Sequence, residues 1–343
     1  MIRYVFVTCS GGHFPRLIRQ EVERPGSYSW HKAFQNYPGA SGEIKHVDEI
    51  ANTDFQRFSI VHMNLSGVST KYFKPIREQL KGSSTKFIMN LDYAPECIDI
   101  PEWVLNAREF YETFKQVDFI FAQVPGQVAL LNMIWQRMLG RKETVPLIPH
   151  PVDTDGLKKL YVPPKDRLDA VGVLFHLYDG HLLIPSILSK AAGRTHGKFR
   201  SIDVQVPTIL FGFLERNIDL SMFDVVATRK AWDQYIYLLS HCTVGLSYYS
   251  GVSSQDRFCA ETSCLGIPTV TTTNSYFGKL FFPKCSFDPD DFEGMLRTLE
   301  RLKTDQQYWT RVKEYGWTKV EKYGFKPSVE RLLNGMRSWG IKI

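Results

Sequence analysis

Residues 243–272, TVGLSYYSGVSSQDRFCAETSCLGIPTVTT, form the stretch that decides the fold. A β-branched and aromatic run, 243–249, is followed by a Ser-Gly loop, a segment of helical character and a Gly-Ile-Pro turn that leads into a second β-branched run, 268–272. Two strand patterns separated by a helical pattern indicate a βαβ unit, in which a helix joins parallel strands. The apolar residues around Phe258 predict that this helix packs closely against its sheet.

Charged residues lie near the start of this predicted helix. Ser253 or Ser254 is the expected N-cap, with Asp256 in the first turn. Arg257 and Glu261 are four residues apart and therefore share one face of the helix. The amide groups of such an N-terminus, together with Arg257, suit a diphosphate, and Glu261 suits the two hydroxyl groups of a ribose. The alternative is a surface ion pair, which contributes only about 0.3–0.5 kcal/mol.

The same alternation extends over the whole chain. Helical patterns separate the predicted strands, which lie at residues 4–9, 58–65, 86–91, 117–122, 170–176, 208–213, 223–227, 243–249 and 268–272. This order predicts an α/β protein with two doubly wound, Rossmann-like domains. Ligands bind beyond the carboxyl ends of the strands in such sheets, so we expect the active site in a central cleft between the two domains.

Proline-rich segments near the middle of the chain indicate a domain boundary near residue 155. These segments are 145–153, VPLIPHPVD, and 161–167, YVPPKDR. His150 lies within the first of them, and we interpret it as a hinge residue rather than a catalytic one.

The composition is that of a soluble globular protein. Of the 343 residues, 43% are hydrophobic and 23% are charged; the net charge is +6 and the pI is near 8.9. This balance suits anionic ligands such as nucleotides and permits DNA, although an ordinary basic enzyme has it too. The six cysteines form no C-x-x-C pair, so we expect reduced thiols and a cytoplasmic protein. No apolar run approaches the roughly 20 residues that span a bilayer.

A Gly-Gly pair follows the first predicted strand. Gly11 and Gly12 permit close approach of the backbone to an anion, and a following helix would aim amide groups at it; a plain tight turn is the alternative. His13 is a candidate general base or phosphate donor, or an ordinary loop histidine. The pattern is neither G-x-G-x-x-G nor a P-loop, which argues against NAD binding and ATP hydrolysis.

Two further strand ends carry charged residues. Asp92 follows the strand at 86–91 and is a candidate to orient an acceptor hydroxyl or stabilise positive charge on a sugar; a turn cap is the alternative. Arg229 and Lys230 follow the strand at 223–227 and suit a diphosphate, or form a solvated basic pair. The acidic run at 288–291, DPDD, is typical of a helix start, and no acidic metal cluster follows a strand, so we expect metal-independent chemistry.

Residues 250–270 resemble the C-terminal signature of retaining GT-B glycosyltransferases of the glycosyltransferase 4 type. Ser250 matches the loop serine of that family, and Glu261, which precedes Thr-Ser-Cys-Leu-Gly-Ile-Pro-Thr-Val, matches the second acid of its E-x7-E pair. In the family this second acid binds the nucleotide ribose. VPLIPHPVD resembles the family's interdomain linker, with Pro151 in place of the usual glycine, and SGGH resembles its phosphate-facing glycine loop.

The resemblance implies a GT-B fold with an N-terminal acceptor domain, 1–155, a donor domain, 156–325, and a last helix, about 326–343, that crosses back to the first domain. It implies transfer of a hexosyl or pentosyl group from a nucleotide diphosphate sugar, such as a UDP-sugar, to a hydroxyl acceptor, with retention at the anomeric carbon and no other cofactor. The donor-binding residues would then be Gly11, Gly12, Arg229, Lys230, Ser250, Ser253, Ser254 and Glu261, and the catalytic residues Asp92, His13 and Arg257.

This sequence departs from the family in two places. Ser253 stands where the first acid of the pair is usual, and the basic residues expected after the strand at 170–176 are not evident. Arg257, Arg229 or Lys230 would replace the missing cations, or the enzyme uses an unusual donor or has lost its activity. A non-catalytic nucleotide-binding protein of the same fold therefore remains an alternative. A sugar-nucleotide epimerase, which shares the two-domain architecture, is another. Three segments of the first half, PGSYSWHKAF, FIMNLDY and VDFIFAQ, resemble phage DNA-modifying glucosyltransferases, which makes a hydroxymethylated DNA base a candidate acceptor.

Overall fold

A computed structural model describes residues 1–8, 29–65, 69–91, 107–176, 198–205, 223–228, 232–249 and 255–343. The chain forms two compact units, one of Met1–Asp153 with Lys322–Ile343, the other of Thr154–Glu321. Among the described residues, no helix is long and apolar enough to cross a membrane.

The helices and strands alternate along the chain. In chain order they are β1 (Ile2–Thr8), α1 (Ser29–Gln35), β2 (Ala40–His46), β3 (Ile60–Leu65), α2 (Thr70–Gln79), β4 (Lys86–Leu91), α3 (Ala107–Phe114), β5 (Phe119–Phe121), α4 (Pro125–Asn132), α5 (Thr154–Lys158), β6 (Leu168–His176), β7 (Lys198–Gln205), β8 (Phe223–Thr228), α6 (Trp232–Ser240), β9 (Cys242–Ser247), α7 (Arg257–Cys264), β10 (Thr269–Thr272), α8 (Tyr276–Phe281), β11 (Ser286–Phe287), α9 (Phe292–Thr304), α10 (Gln306–Lys319) and α11 (Phe325–Ser338). A π-helical segment, Met133–Met138, continues α4.

The first unit has a parallel sheet in the order β2-β1-β3-β4-β5. Hydrophobic cores cover both faces of this sheet. Successive side chains of β1 point to opposite faces, so Tyr4 and Phe6 lie in one core and Val5 and Val7 in the other. Helices α1 and α11 cover the first face with the buried side chains Trp30, Phe34, Val329, Leu332, Leu333 and Met336. Helices α2 and α3 contribute to the second face. The last helix of the chain thus belongs to the core of the first unit.

The edge strand β2 is not evident from the sequence. Its residues, ASGEIKH, are mostly polar, and Gly42 is its one buried position. A Cβ on Gly42 would collide with the backbone carbonyl of His31 in α1, so glycine permits the close contact between this strand and the helix. Strand β7, KFRSIDVQ, was likewise not predicted, and the strand predicted at 208–213 lies outside the described residues.

The second unit has a six-stranded parallel sheet in the order β11-β10-β9-β6-β7-β8. Numbered within the unit, this is the strand order 3-2-1-4-5-6 of a classical dinucleotide-binding sheet, and its strand order reverses between β6 and β9. Ligands bind such sheets at the carboxyl ends of the two strands that flank this reversal. Helix α7, which follows β9, therefore lies in the connection where a nucleotide site is expected.

Candidate functional site

Helix α7 packs tightly on the sheet of the second unit, as the sequence predicts. Seven of its residues, from Phe258 to Cys264, are buried. A Cβ on Gly245 in β9 would lie 2.5 Å from Thr269 Oγ1 and 3.1 Å from the Phe258 ring, so the glycine lets helix and strand approach closely. This packing leaves little freedom to the side chains that α7 carries.

Asp256, and not Ser253 or Ser254, is the N-cap of α7. Its side chain accepts a hydrogen bond from the Cys259 amide, and its backbone is left-handed with a φ of 58°. It is the one residue other than glycine with a positive φ among those the structure describes. A left-handed aspartate is tolerated but costs energy, so other contacts must hold it there. The prediction of Ser253 or Ser254 as the N-cap, with Asp256 in the first turn, was therefore wrong: the helix begins one residue after Asp256.

A cluster of hydrogen bonds holds the Asp256 carboxylate, which is 1% exposed. Its Oδ2 accepts from Ser275 Oγ at 2.6 Å and from Cys259 Sγ at 3.0 Å. Burial raises the pKa of the Cys259 thiol well above its ordinary value, and the neighbouring carboxylate raises it further. The thiol therefore stays protonated and acts as a donor, while the carboxylate takes the role of acceptor.

The same cluster joins α7 to α8. Ser275 is the N-cap of α8 and its Oγ also accepts from the Gly278 amide at 2.8 Å. The Phe277 amide donates to Gln255 O, next to Asp256, at 3.1 Å. The starts of both helices are therefore tied to one buried carboxylate.

Glu261 lies one turn into α7 and is 1% exposed. Its Oε1 lies 3.0 Å from Arg257 Nε, and its Oε2 accepts a hydrogen bond from the Tyr235 hydroxyl at 2.6 Å. The alternative of a surface ion pair is therefore wrong, because the carboxylate is buried and only the arginine side chain, 26% exposed, reaches solvent. The two partners approach different oxygens of the carboxylate, Arg257 as an ion pair and Tyr235 as a hydrogen-bond donor.

Tyr235 was missed by the sequence analysis. It lies in α6, 26 residues before Glu261, and is 2% exposed. A tyrosine in an apolar helix gives no sign in the sequence that its hydroxyl meets a distant carboxylate. Only the contact between α6 and α7 brings the two together.

The opposite end of α7 is held by Arg167. Its guanidinium donates to the carbonyls of Leu265 and Gly266 at 2.7 and 3.0 Å, and its Nε donates to Val162 O at 2.7 Å. Burial lowers the pKa of Arg167 to about 10, which leaves it charged at neutral pH. An acid at the N-terminus and a cation at the C-terminus both complement the helix dipole, so α7 is held at each end.

The remaining predicted site residues lie outside the described residues. They are Gly11, Gly12, His13, Asp92, Arg229, Lys230, Ser250, Ser253 and Ser254. Of the predicted set the structure brings together Arg257 and Glu261. Across the described ranges, no group of three or more histidine, cysteine, aspartate or glutamate side chains is arranged to hold a metal ion.

The first unit contains a buried polar network on the α1 and α11 face of its sheet. His62 in β3 is fully buried; its Nδ1 lies 2.6 Å from the Tyr4 hydroxyl and its Nε2 lies 2.6 Å from Asn90 Oδ1. Asn90 Nδ2 donates to Leu91 O at 3.4 Å, so Asn90 Oδ1 accepts and His62 Nε2 carries the proton. Burial lowers the pKa of His62 to about 3.

His150 belongs to the same region. Its Nδ1 accepts a hydrogen bond from Trp30 Nε1 at 3.0 Å, and the Trp30 and His62 rings are 6.2 Å apart. Burial, and then the nearby His62, lower the pKa of His150 to about 3. The residue interpreted as a hinge is thus packed into the core of the first unit by a tryptophan.

No protein-family model matches the sequence, and no curated protein matches it. Among solved structures, the chain is similar to an α-glucosyltransferase in complex with UDP and a 13-mer DNA containing a hydroxymethyluracil base, with 11% identity, a TM-score of 0.68 and 99% of each chain covered. It is also similar to the α,α-trehalose 6-phosphate synthase of Burkholderia multivorans, with 13% identity, a TM-score of 0.64, and 86% of this chain and 74% of that chain covered.

A third similar structure is that of E. coli trehalose-6-phosphate bound with UDP-2-fluoro glucose, with 12% identity, a TM-score of 0.66, and 98% of this chain and 99% of that chain covered. At such identities the likeness shows the fold. The chain has the GT-B fold, and the prediction of two doubly wound, Rossmann-like sheets is confirmed.

Proposed function

We propose that the chain is a glycosyltransferase that moves a sugar from a nucleotide diphosphate sugar to a hydroxyl acceptor. The observation that carries this proposal is the buried Glu261 carboxylate of α7, which contacts Arg257 of the same helix and Tyr235 of α6. Helix α7 follows a strand at the reversal point of its sheet. The GT-B fold supports it, since two structures similar to this chain hold UDP or a UDP-sugar.

The second unit is the donor domain in this proposal. Glu261 accepts hydrogen bonds from the ribose hydroxyls once the Arg257 side chain, 26% exposed, turns from its Oε1 to the diphosphate, while Tyr235 keeps hold of Oε2. Arg257, partly exposed, faces the diphosphate. Ser250, Ser253, Ser254, Arg229 and Lys230 complete the donor site, with Gly11 and Gly12 at the phosphates.

The first unit is the acceptor domain. Asp92 and His13 contact the acceptor or the transferred sugar. The bond between the anomeric carbon and the diphosphate breaks with its electron pair on the diphosphate oxygen. The acceptor oxygen bonds to that carbon, and the acceptor proton passes to the departing diphosphate. Stabilisation of the diphosphate by fixed positive charge supplies most of the catalysis.

The proposal also covers the stereochemistry of transfer, the metal requirement, the acceptor and the cellular compartment. Transfer retains the anomeric configuration and needs no metal. The first acceptor to test is a hydroxymethylated base in DNA, because one similar structure holds DNA with a hydroxymethyluracil base. The buried thiols of Cys259 and Cys264 support a reducing, cytoplasmic setting.

Ribose recognition tests the donor site. Calorimetry should show that the wild type binds UDP about 10- to 100-fold more tightly than 2′-deoxy-UDP, since a hydrogen bond to a charged group contributes about 1.5–3 kcal/mol. Glu261→Gln should bind both ligands with nearly equal, weakened affinity. The matched control is Glu321→Gln, an exposed acid of the same unit that pairs with Lys158. If Glu261→Gln discriminates as the wild type does, the ribose assignment fails; if the wild type binds neither UDP nor GDP, the proposed function fails.

Turnover separates the proposed enzyme from its alternatives. A panel of nucleotide sugars with hydroxymethylated DNA, analysed by NMR in EDTA, should give a glycosylated product with the donor's anomeric configuration. An epimerised nucleotide sugar without transfer would identify an epimerase. Nucleotide binding without turnover of any donor would indicate a non-catalytic protein, and activity lost in EDTA would refute metal independence.

A further inference from the structure

The π-helical segment that continues α4 exposes two methionines together with basic residues. Met133 is 46% and Met138 is 53% exposed. The segment makes an i→i+5 hydrogen bond from Leu139 N to Ile134 O at 3.1 Å. A π turn takes up more residues than an α-helical turn, so residues five apart lie nearer to one side of the helix than they do in an α-helix, where they point in different directions. The π turn therefore brings the two exposed methionines closer to the same side of the segment than an α-helical turn would.

Positive charge surrounds these methionines. Arg137 lies between them in sequence, and Arg141 and Lys142 follow; all three are exposed. None of the three forms an ion pair with a described residue, although the Arg141 guanidinium lies over the Trp135 ring, 5.3 Å from its centroid. Residues 125–142 contain no aspartate or glutamate. Glu143, the next acid, is turned towards Trp135, whose Nε1 lies 3.3 Å from its Oε2. The surface is therefore apolar at two points and positive around them. We call it the 133–142 patch.

Contacts with Trp339 and Tyr111 anchor the backbone of the 133–142 patch. Trp135 is 2% exposed and its ring stacks on that of Trp339 at 5.1 Å. The Tyr111 hydroxyl donates to Met138 O at 3.1 Å. The methionines are thus exposed by a defined backbone and not by a fraying helix end. Single exposed apolar residues need no explanation, but a π turn that presents two of them among three cations does.

We propose that the 133–142 patch is a docking surface for an anionic lipid bilayer. Basic residues are attracted to anionic headgroups, and methionine side chains gain free energy by entering the boundary between headgroups and acyl chains. A bilayer uses both features of the patch. A DNA backbone uses only the cations, because a methionine offers no hydrogen bond to a phosphate.

Vesicle co-sedimentation tests the proposal without reference to the sugar-transfer activity. The wild type should partition to vesicles with about 30% phosphatidylglycerol and stay in solution with neutral phosphatidylcholine vesicles. A cation near such a surface contributes about 1 kcal/mol, so the triple variant Arg137→Gln, Arg141→Gln, Lys142→Gln should bind about 100-fold more weakly. Met133→Ser with Met138→Ser should weaken binding several-fold.

Matched controls come from the second unit. The triple variant Lys159→Gln, Lys165→Gln, Arg311→Gln removes as many exposed cations, and Leu160→Ser with Leu168→Ser removes two apolar residues that are 47% and 42% exposed. Both should bind vesicles as the wild type does. Thermal melting checks that each variant is folded.

Three results would overturn the proposal. One is equal partition of the wild type to neutral and anionic vesicles. Another is an equal loss of binding in the control variants, which would indicate attraction by net charge alone. The third is full binding by the methionine variant together with displacement of the protein from vesicles by double-stranded DNA, which would indicate a nucleic-acid surface. Because no sugar donor is present, failure here leaves the proposed enzymatic function untouched.

Discussion

His62 and His150 make the first unit sensitive to acid. Both are buried as neutral rings with pKa values of about 3, against an ordinary value of 6.5. The unfolded chain binds protons on these residues at a higher pH than the folded chain does, so the native state has its full stability above about pH 6.5 and loses it as the pH falls towards 3. The loss is of the order of 4 kcal/mol for each histidine.

Urea unfolding of the first unit at several pH values measures this effect. His62→Gln should roughly halve the decline in stability between pH 6.5 and 4, because only His150 then remains. Ile88→Val, a change in the same core, should lower stability by a similar amount at every pH. A decline as steep in His62→Gln as in the wild type would contradict the assignment of the acid sensitivity to this network.

Sequence spacing predicted part of the candidate site at the level of residues. Arg257 and Glu261 are four apart on a helix, so their pairing follows from helix geometry alone. The burial of Glu261 and its contact with Tyr235 depend on the packing of α6 against α7, which no local pattern encodes. The cap was misplaced since serine is a common N-cap, whereas a left-handed aspartate is an uncommon one.

Helix α7 depends on the Asp256 cluster at its N-terminus. Asparagine caps helices as well as aspartate does, so Asp256→Asn would be nearly neutral if capping were its only role. We expect a loss of about 2 kcal/mol in the free energy of unfolding, because Oδ2 accepts from Ser275 and Cys259, and an amide nitrogen does not accept.

The matched control for Asp256 is another N-cap of the same unit. Asp291 caps α9 by accepting from the Gly294 amide at 2.9 Å. Chemical denaturation should therefore show Asp291→Asn within a few tenths of a kcal/mol of the wild type. If Asp256→Asn and Asp291→Asn behave alike, the cluster has no stabilising role beyond capping.

The strands that could be predicted from the sequence are those whose own residues form an apolar or β-branched run. Strands β1, β3, β4, β6 and β9 have apolar or β-branched runs because helices cover both sides of the sheets. Edge strand β2 has a single buried residue, and its position follows from Gly42 fitting against α1, a contact between elements. The helix start at Asp291 was predicted, since the DPDD run is a local signal.

The two units of the molecule should differ in their response to truncation. Removing residues 322–343 removes α11, whose Val329, Leu332, Leu333 and Met336 are at most 2% exposed in the core of the first unit. We expect the first unit of this variant to lose its fold, because several large side chains of the opposite face become exposed. The second unit keeps all of its chain.

Limited proteolysis with mass spectrometry measures this difference. The truncated protein should yield a resistant fragment close to Thr154–Glu321, and the full chain should resist cleavage in both units. A double exchange of Leu332 and Leu333 to serine should have the same effect as the truncation. A truncated protein as resistant as the full chain in its first 150 residues would contradict the role of α11.

At the scale of the molecule, repetition of one pattern predicted two doubly wound sheets. The local patterns did not predict that α11, at the end of the chain, packs in the core of the first unit. Only the family resemblance led to that expectation. That information resides in long-range packing between β1 and α11.

Because α11 belongs to the first unit, that unit can complete its fold only late in the synthesis of the chain. A ribosome makes α1 and β1 to β5 first, yet the part of the sheet face that α11 covers stays exposed until residues 325–338 have emerged. The second unit is contiguous, so it completes its fold while the earlier one still waits. Chaperones that shield apolar sheet surface would therefore meet the first half of this chain during most of its translation.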